Sequence, residues 1–480
     1  MKIFKSIQLI LFCSAILFCL QSQSQNNSTN LENQTDSIFS KYNNLSNAGL
    51  AVSIICDEKV KYSKGYGSAN LEYDIPITSS TVFHIASVSK QFTVFAILLL
   101  EEQGKLSLDD DIRKYIPEVP DFGKTITLRH LASHTSGLRD QWYLLGLAGW
   151  RDDDIKTNKQ IIDLISNQEE LNFSPGEKYA YCNTGFTLLA EVVSRVSNQT
   201  FSDFTKSNIF LPLKMLNTQF NDDYEKIIRN RAYSYYKDST GYKKSIFNNE
   251  SVGATNLNTT IEDMSLWSLN FSNPTVGSKE IISKMNTPTT LNNGLPTKLG
   301  LGQFIDKYKG LKEIYHGGLD AGYRAYFSRF PEQSFSIIIF TNSRDIPAYS
   351  LASKVMDLYL KNDFKNSPNK ETALINKKEN VTKKDSIKYS VLELKEFSGK
   401  YYSPELQTAY YITSKENYLE IKHLRIGTLK IHPLKKDLFQ DDGEWDFSNF
   451  HFIRNDSNKI IEMRFSGGGR IHNLKFIKQK

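Results

Sequence analysis

The hydrophobic pattern of the chain is strongest in one helical segment. The run from Val94 to Leu100 (VFAILLL) is apolar on every side, and it is the most apolar helical stretch after the first 24 residues. A helix that is apolar all round is usually buried. Gly104 marks its end, because glycine is favoured just after a helix. The pattern therefore predicts a central, buried helix that begins at Ser87 and runs to about Gln103.

Strand-like patterns lie on both sides of a long helical middle. Two precede it and two follow it: Ala51–Cys56, Lys59–Ala69, Tyr323–Arg329 and Phe335–Thr341. Strands at both ends with helices between them favour one antiparallel sheet built from the two ends of a domain. The first part of the chain is therefore predicted to be α/β, an antiparallel sheet with a helical region.

A pattern of short alternating strands begins after Leu392. The predicted strands are Gly399–Tyr402, Ala409–Thr413, Tyr418–Lys422, Gly427–His432, Phe450–Arg454, Ile460–Phe465 and Ile471–Phe476. Polar or glycine-rich breaks separate them, such as Gly467–Gly469. This spacing is typical of a small all-β domain, and we expect an up-and-down barrel.

The N-terminus has the features of a secretory signal peptide. Lys2 and Lys5 precede an apolar run from residue 7 to residue 20, and small residues end at Ser24. The run is too short to span a membrane, and no later segment reaches about 20 apolar residues. We therefore expect a periplasmic or secreted protein. Phe18 before Cys19 argues against lipoprotein processing, although lipid anchoring at Cys19 stays open.

The composition adds a domain outline and excludes some classes of function. A chain of 480 residues is long enough for two or three domains. The predicted outline is a signal peptide (1–24), an extension (25–35), the α/β domain (36–360), a polar linker (361–391) and the all-β domain (392–480). The net charge of +6 comes partly from the signal peptide and the lysine-rich linker, and the other basic residues are scattered, so nucleic-acid binding is not expected.

Four cysteines do not make a disulfide framework. Cys13 and Cys19 lie in the signal peptide, which leaves Cys56 and Cys182. Cys56 ends a predicted buried strand, so we expect two buried thiols. A reactive Cys182 stays open.

The candidate chemistry begins at Ser87 and Lys90. Residues three apart share a helix face, so the lysine points back at the serine hydroxyl. A desolvated lysine has a lowered pKa and helps to activate a serine nucleophile. The same tetrapeptide, Ser-x-x-Lys, occurs at Ser234 and Ser367, but neither has an apolar helix behind it. Only Ser87 has the context that this chemistry needs.

Two further motifs follow in order, Tyr-x-Asn at Tyr181–Asn183 and His-x-Gly at His316–Gly318. With their surroundings, FHIASVSK, ITLRHLASHTSGL, FSPGEKYAYCNTGF and YHGGLDAG, they resemble the penicillin-recognising serine hydrolases: serine β-lactamases, DD-peptidases, D-aminopeptidases and related esterases. The resemblance is strongest to the branch near class C β-lactamases, and it covers residues 36–360. The C-terminal domain resembles the lipocalin-like domains of some relatives.

The resemblance implies roles for individual residues. Ser87 is the acylated nucleophile, Lys90 its proton partner, and Tyr181 the base for attack and the acid for the leaving group. A tyrosine acts as a base at neutral pH only if cations stabilise its phenolate. Asn183 binds a substrate amide. The backbone N–H groups of Ser87 and Leu319 form the oxyanion hole.

Position 316 departs from many members of the family. They carry a lysine and a hydroxyl residue where this chain has His316 and Gly317, and that pair binds a carboxylate. A mostly neutral histidine weakens this recognition. His316 and Gly318 stay candidate substrate-binding positions, and Arg324 is either a substitute cation or an ordinary surface arginine. Efficient β-lactam hydrolysis is therefore less expected than cleavage of D-amino-acid peptides or esters.

Two other patterns are set aside. His130 and His134 have the spacing of a zinc pair on a predicted helix, but the glutamate of His-Glu-x-x-His is missing. Gln168–Asn172 (QEELN) is similar to the deacylating loop of class A β-lactamases, but it begins with glutamine and precedes Tyr-x-Asn. We expect no metal and no cofactor.

The sequence thus predicts an exported serine hydrolase that acts through an acyl-enzyme on a small-molecule or short-peptide substrate, with a D-amino-acid peptide or ester favoured. A β-lactamase is the alternative, and a slow or inert penicillin-binding sensor is the alternative of another class. The all-β domain either restricts the cleft, packs against it or aids formation of a homodimer.

Overall fold

The structure is a computed structural model that describes residues 30–365, 387–443 and 448–480. The predicted signal peptide lies outside the described residues, as does most of the predicted linker. Residues 30–39 are helical. The helices that follow are α1 Lys90–Glu102, α2 Leu128–Ala132, α3 Gln141–Leu147, α4 Asn158–Ser166, α5 Thr184–Ser197, α6 Phe201–Thr205, α7 Ile261–Asn270, α8 Lys279–Met285, α9 Ala348–Leu360 and α10 Val391–Lys395.

The strands divide between an N-terminal α/β part and a C-terminal barrel. In the first part they are β1 Leu50–Cys56, β2 Lys59–Tyr66, β3 Ser68–Asn70, β4 Ile75–Pro76, β5 Phe83–His84, β6 Gln219–Phe220, β7 Tyr235–Asp238, β8 Gly241–Lys244, β9 Leu257–Thr259, β10 Phe304–Tyr308, β11 Leu311–Asp320, β12 Tyr323–Phe330 and β13 Phe335–Thr341. In the barrel they are β14 Gly399–Ser403, β15 Thr408–Ser414, β16 Leu419–His423, β17 Gly427–Lys435, β18 Leu438–Asp441, β19 Asn449–Arg454, β20 Ile460–Gly467 and β21 Ile471–Lys478.

The main sheet joins the two ends of the α/β part. Its order is β10-β11-β12-β13-β1-β2, and every neighbouring pair is antiparallel. Successive residues of a strand face opposite sides of a sheet. Ile337 and Ile339 of β13 accordingly pack against α9, whereas Ile338 and Phe340 join the large core on the other face. The predicted antiparallel sheet built from both ends is confirmed.

Helix α1 lies at the centre of the large core. Every residue from Lys90 to Leu100 is buried, which confirms the predicted central, buried helix, although the α-helix begins at Lys90 and not at the predicted Ser87. The helix packs against α5, α6 and α8. Burial on all sides holds its N-terminal turn, a 3₁₀ turn at Ala86–Ser89, in a fixed position.

The C-terminal strands close into an eight-stranded barrel in chain order, with β14 paired to β21. The predicted barrel is confirmed. The sequence reading missed β18, because its four residues (LFQD) are too few to show alternation. It also missed β10 and β11. Strand β11 contains Gly317 and Gly318, and glycine is depleted in strands.

Candidate active site

A strained turn presents Ser87 to the cavity. Ala86 has φ +48°, a left-handed conformation that costs free energy for a residue with a Cβ and is typical of functional sites. Ser89 stabilises the turn, since its Oγ donates to the carbonyl of Ala86 and accepts from the backbone N–H of Leu257. Ser87 is thereby placed at the start of the central helix with its side chain towards the cavity.

Lys90 and Tyr181 both contact the Ser87 hydroxyl. Lys90 Nζ lies 3.0 Å from Ser87 Oγ, and the Tyr181 hydroxyl donates to the same oxygen at 2.8 Å. Lys90 Nζ also donates to Asn183 Oδ1 at 2.9 Å and to the carbonyl of Ala254 at 2.6 Å. The structure therefore brings together the serine, the lysine and the tyrosine that the Ser-x-x-Lys and Tyr-x-Asn motifs nominated.

Burial has opposite effects on the two proton-bearing partners. Lys90 is 0% exposed, and burial lowers its pKa to about 7, although Asp140 and Asp320 oppose the shift. Burial raises the pKa of Tyr181, against the opposing effects of its hydrogen bond to Ser87 and the charge of Arg470. The pKa of Lys90 thus lies near neutral pH, whereas that of Tyr181 lies above its ordinary value. The expectation of a Tyr181 phenolate finds no support in these pKa shifts.

Asn183 is held by Asp140, a residue that the motifs did not nominate. Asp140 Oδ2 accepts from the Asn183 backbone N–H at 2.7 Å and from Asn183 Nδ2 at 2.8 Å. With Lys90 on Oδ1, three of the hydrogen-bonding positions of Asn183 are occupied. Asp140 lies two residues after the segment ITLRHLASHTSGL, with Arg139 between them. The one feature of the sequence that marks Asp140 is its residue type, since aspartate is favoured at the N-cap of a helix, the position it occupies before α3.

His316 and Gly318 lie on β11 beside the serine turn. The His316 Nδ1–H donates to the carbonyl of Gly317 at 2.6 Å, and Nε2 has no partner among the described residues. Burial lowers the pKa of His316 to about 3, and Lys90 adds to the shift. A Cβ at Gly318 would lie 2.4 Å from the carbonyl oxygen of Ile85, so a glycine permits this approach. Leu319, by contrast, is 71% exposed.

A cavity of about 750 Å³ opens over these groups. It is lined by residues of the α/β part that include Ser87, Trp142, Trp150, Tyr179, Tyr181, Asn183, His316, Asp320 and Arg324. Arg324 donates from Nη1 to the carbonyls of Ala321 at 3.1 Å and Tyr323 at 2.7 Å. Within the described part of the chain, the barrel contributes Arg470 to the lining. No sequence signal marked Arg470, which lies 383 positions after Ser87.

The two patterns set aside have structural roles in the fold. Helix α2 ends at Ala132 and His134 has φ +56°, so the predicted helix does not carry both histidines on one face. His134 instead stacks on Tyr181 with ring centres 4.2 Å apart. The described residues hold no cluster of three or more His, Cys, Asp or Glu side chains suited to a metal.

The segment Gln168–Asn172 lies against the barrel. Glu169 pairs with Lys475, Glu170 pairs with Arg464, and Asn172 bonds to the backbone at Arg470. This segment is therefore a docking contact between the two parts of the chain.

The cysteines differ from expectation in one respect. Cys56 and Cys182 are both free thiols. Cys182 is buried, but Cys56 is only partly buried. The prediction of two buried thiols is wrong for Cys56, because it lies at the end of β1 beside the exposed β-turn at Asp57 and Glu58. Burial raises the pKa of the Cys182 thiol to about 12, which disfavours the reactive thiolate.

Fold and site together define a class of protein: a β-lactamase/transpeptidase-like α/β domain followed by a lipocalin-like barrel. The chain belongs to the Beta-lactamase family, whose profile matches residues 35–359. No helix among the described residues is long and apolar enough to cross a bilayer.

Three known proteins illustrate the similarity. A penicillin-binding protein of Bacillus subtilis (strain 168) is 29% identical, with 61% of this chain and 68% of the relative covered. A D-aminopeptidase of Gluconobacter oxydans (strain 621H) is 26% identical, with 61% and 55% covered, so the match spans about half of that relative. The octameric penicillin-binding protein homologue from Pyrococcus abyssi has a TM-score of 0.61 at 25% identity, covering 94% of this chain and 99% of its own. That last match extends over the barrel.

Proposed function

We propose that this protein is an exported serine hydrolase that cleaves a small amide or ester through an acyl-enzyme on Ser87, with D-amino-acid peptides or esters favoured. The observation that carries the proposal is the convergence of Lys90 and Tyr181 on the Ser87 hydroxyl at 3.0 and 2.8 Å. A nucleophile within hydrogen-bond reach of its base is the signature of covalent catalysis. The similarity to a D-aminopeptidase supports the substrate class.

The hydrogen bonds of Lys90 account for its role as the base. A neutral amine has two N–H donors and one lone pair. The carbonyl of Ala254 and Asn183 Oδ1 take the two donors, and the lone pair then accepts the proton of Ser87. Oγ attacks the substrate carbonyl, and Tyr181, bonded to the same oxygen, lies on the path by which this proton reaches the leaving group. In the second half of the reaction a water molecule attacks the acyl-enzyme, its proton returns to Ser87 Oγ through the same groups, and the acid is released.

The oxyanion is assigned to the backbone N–H groups of Ser87 and Leu319. Strand β11 lies against the serine turn at Gly318, the residue before Leu319. Backbone donors that are fixed before the reaction stabilise the charge that develops on the carbonyl oxygen.

Two alternatives use the same serine. A β-lactamase would release a penicillin rapidly, and a penicillin-binding sensor would keep it bound. A neutral His316 offers no positive charge to a carboxylate at the position where many members of the family carry a lysine.

Location and assembly complete the proposal. The apolar segment at residues 7–20 supports export to the periplasm or the medium, with lipid anchoring at Cys19 as the minor route. We also propose three parts for the mature chain: a hydrolase domain (36–360), a linker (361–391) and a barrel domain (392–480). Because one homologue is octameric, we also propose that this chain self-associates, with a homodimer as the simplest form.

The experiment is a panel of chromogenic substrates with matched enantiomers. The purified mature chain is given D- and L-alanine p-nitroanilide, the corresponding esters and a chromogenic cephalosporin. We expect kcat/KM to be highest for a D-amino-acid compound. Hydrolysis of the cephalosporin alone would identify a β-lactamase, and preference for the L-enantiomers would contradict the proposal.

The pH dependence tests the role of Lys90. A lysine with a lowered pKa is charged below that pKa and neutral above it, so the acylating form accumulates as the pH rises. We expect kcat/KM to rise with a midpoint near pH 7, following the pKa of about 7. The measurement is kcat/KM of one D-amino-acid ester from pH 5 to pH 9. A flat profile, or one that falls across this range, would exclude Lys90 as the base.

A further inference from the structure

The turn between β20 and β21 of the barrel enters the active-site cavity. Its last residue, Arg470, lines the cavity, with the guanidinium carbon 4.9 Å from the ring centre of Tyr181 and 5.4 Å from that of Tyr143. Tyr181 in turn donates to Ser87 Oγ. The barrel therefore places a cation one side chain away from the nucleophile.

Contacts with the α/β domain fix this turn. Asn172 Nδ2 donates to the carbonyl of Arg470 at 2.8 Å, and Asn172 Oδ1 accepts the backbone N–H of His472 at 2.8 Å. Gly468 has φ +58°, and a Cβ there would lie 2.3 Å from a ring carbon of Tyr143. Glycine alone tolerates both conditions without strain. The position of Arg470 is thus set by packing and backbone hydrogen bonds.

The donors of Arg470 are free to receive a ligand. Among the described residues the neighbouring carboxylate is Asp140, whose Oδ2 lies 3.9 Å from Nη1, beyond hydrogen-bond distance. That oxygen already accepts two hydrogen bonds from Asn183. The Arg470 side chain is 33% exposed. An arginine presents a planar fork of N–H donors that matches a carboxylate.

The other cations at the cavity differ from Arg470 in charge, in contacts or in position. His316 is neutral at pH 7, and Lys90 contacts Ser87 and two further acceptors. Lys156 donates to backbone carbonyls. Arg324 donates from Nη1 to two backbone carbonyls, and Arg344 stacks on Tyr236 at 4.4 Å. Among the described residues, the cations that contact the Tyr181 ring are Lys90 and Arg470. Of these two, Lys90 is hydrogen-bonded, and the guanidinium donors of Arg470 have no hydrogen-bond partner in the described part of the chain.

We propose that Arg470 binds the free carboxylate of the substrate, a short D-amino-acid peptide. Arg470, a residue of the barrel, would then take the role of the lysine that many members of the family carry where this chain has His316. The inference takes its class of substrate, a D-amino-acid peptide, from the proposed function. It implies that the barrel contributes to the specificity of the site for substrates with a free carboxylate.

Turnover of two peptides tests the inference. D-Alanyl-D-alanine carries the carboxylate, and D-alanyl-D-alaninamide is its neutral counterpart. Arg470→Met is expected to lower kcat/KM for the acid by about 10- to 100-fold, mainly through a higher KM, as loss of one partner of a charged hydrogen bond does. The amide is expected to change by less than about 3-fold, and Arg470→Lys should restore part of the loss. Lys475→Met removes a charge from β21 outside the cavity lining and is expected to change neither substrate.

Binding to the Ser87→Ala protein separates this inference from the proposed function. Calorimetry is expected to show that the acid binds at least about 10-fold more tightly than the amide, and that adding Arg470→Met removes the difference. Equal affinities would overturn the inference. An equal loss of turnover on both peptides, with a shifted pH profile, would also overturn it and place the effect of Arg470 on Tyr181. Discrimination in binding without turnover by the unaltered protein would support the inference and refute the hydrolase.

Discussion

Replacing Ser87 by alanine is expected to abolish the covalent adduct and to lower turnover by about 10³-fold or more, the scale seen when a catalytic nucleophile is removed. The reason is geometric. Lys90 and Tyr181 both contact the Ser87 Oγ, and without that oxygen no acceptor for the acyl group remains between them. The measurement is intact-protein mass after exposure to a penicillin and to an activated D-amino-acid ester, with loss of each compound followed in parallel.

A matched control is available in the same chain. Ser367 begins another Ser-x-x-Lys tetrapeptide, and Ser367→Ala is expected to leave the adduct and the rate unchanged. The lifetime of the adduct distinguishes the alternatives: a persistent penicilloyl protein indicates a sensor, and rapid release indicates a β-lactamase. An adduct of equal yield on the Ser87→Ala protein would refute the assignment of the nucleophile.

Replacing Arg139 by methionine is expected to lower the free energy of unfolding by about 3–5 kcal/mol, the usual cost of leaving one partner of a buried ion pair alone. Arg139 and Glu405 pair between the α/β domain and the barrel, and their side chains are 0% and 1% exposed. Arg139 also donates to Gln168 Oε1 at 3.1 Å and to the carbonyl of His472 at 3.0 Å. Urea denaturation followed by intrinsic fluorescence measures the change.

A double variant separates the charge from the packing. Arg139→Met with Glu405→Leu removes both charges together and is expected to recover most of the lost stability, because a buried pair replaced by apolar residues costs little. Lys475→Met breaks a partly exposed pair with Glu169 in the same interface and is expected to cost at most about 1 kcal/mol. Equal losses for Arg139→Met and Lys475→Met would show that the buried pair has no special role in docking the barrel.

Local patterns predicted a large share of this structure. The apolar run behind Ser87 identified α1, because a helix buried on all sides needs no polar face. Alternation identified most strands of the sheet and the barrel. The failures follow from the same physics. Strand β18 is too short to alternate, and β11 contains Gly318, which lets it approach the turn just before Ser87. His134 leaves the predicted helix because its backbone turns left-handed at φ +56°.

The sequence by itself determined the fold class, the three motifs and their order, since these depend on neighbours along the chain. Only the tertiary structure decided which ionisable side chains of the site are charged and which of them lie in contact. Burial lowers the pKa of Lys90 and raises that of Tyr181, and it keeps His316 neutral at pH 7. The barrel turn brings Arg470 to Tyr181 across 289 positions of sequence. Desolvation and long-range contacts arise from the packing of distant segments, and no local pattern encodes them.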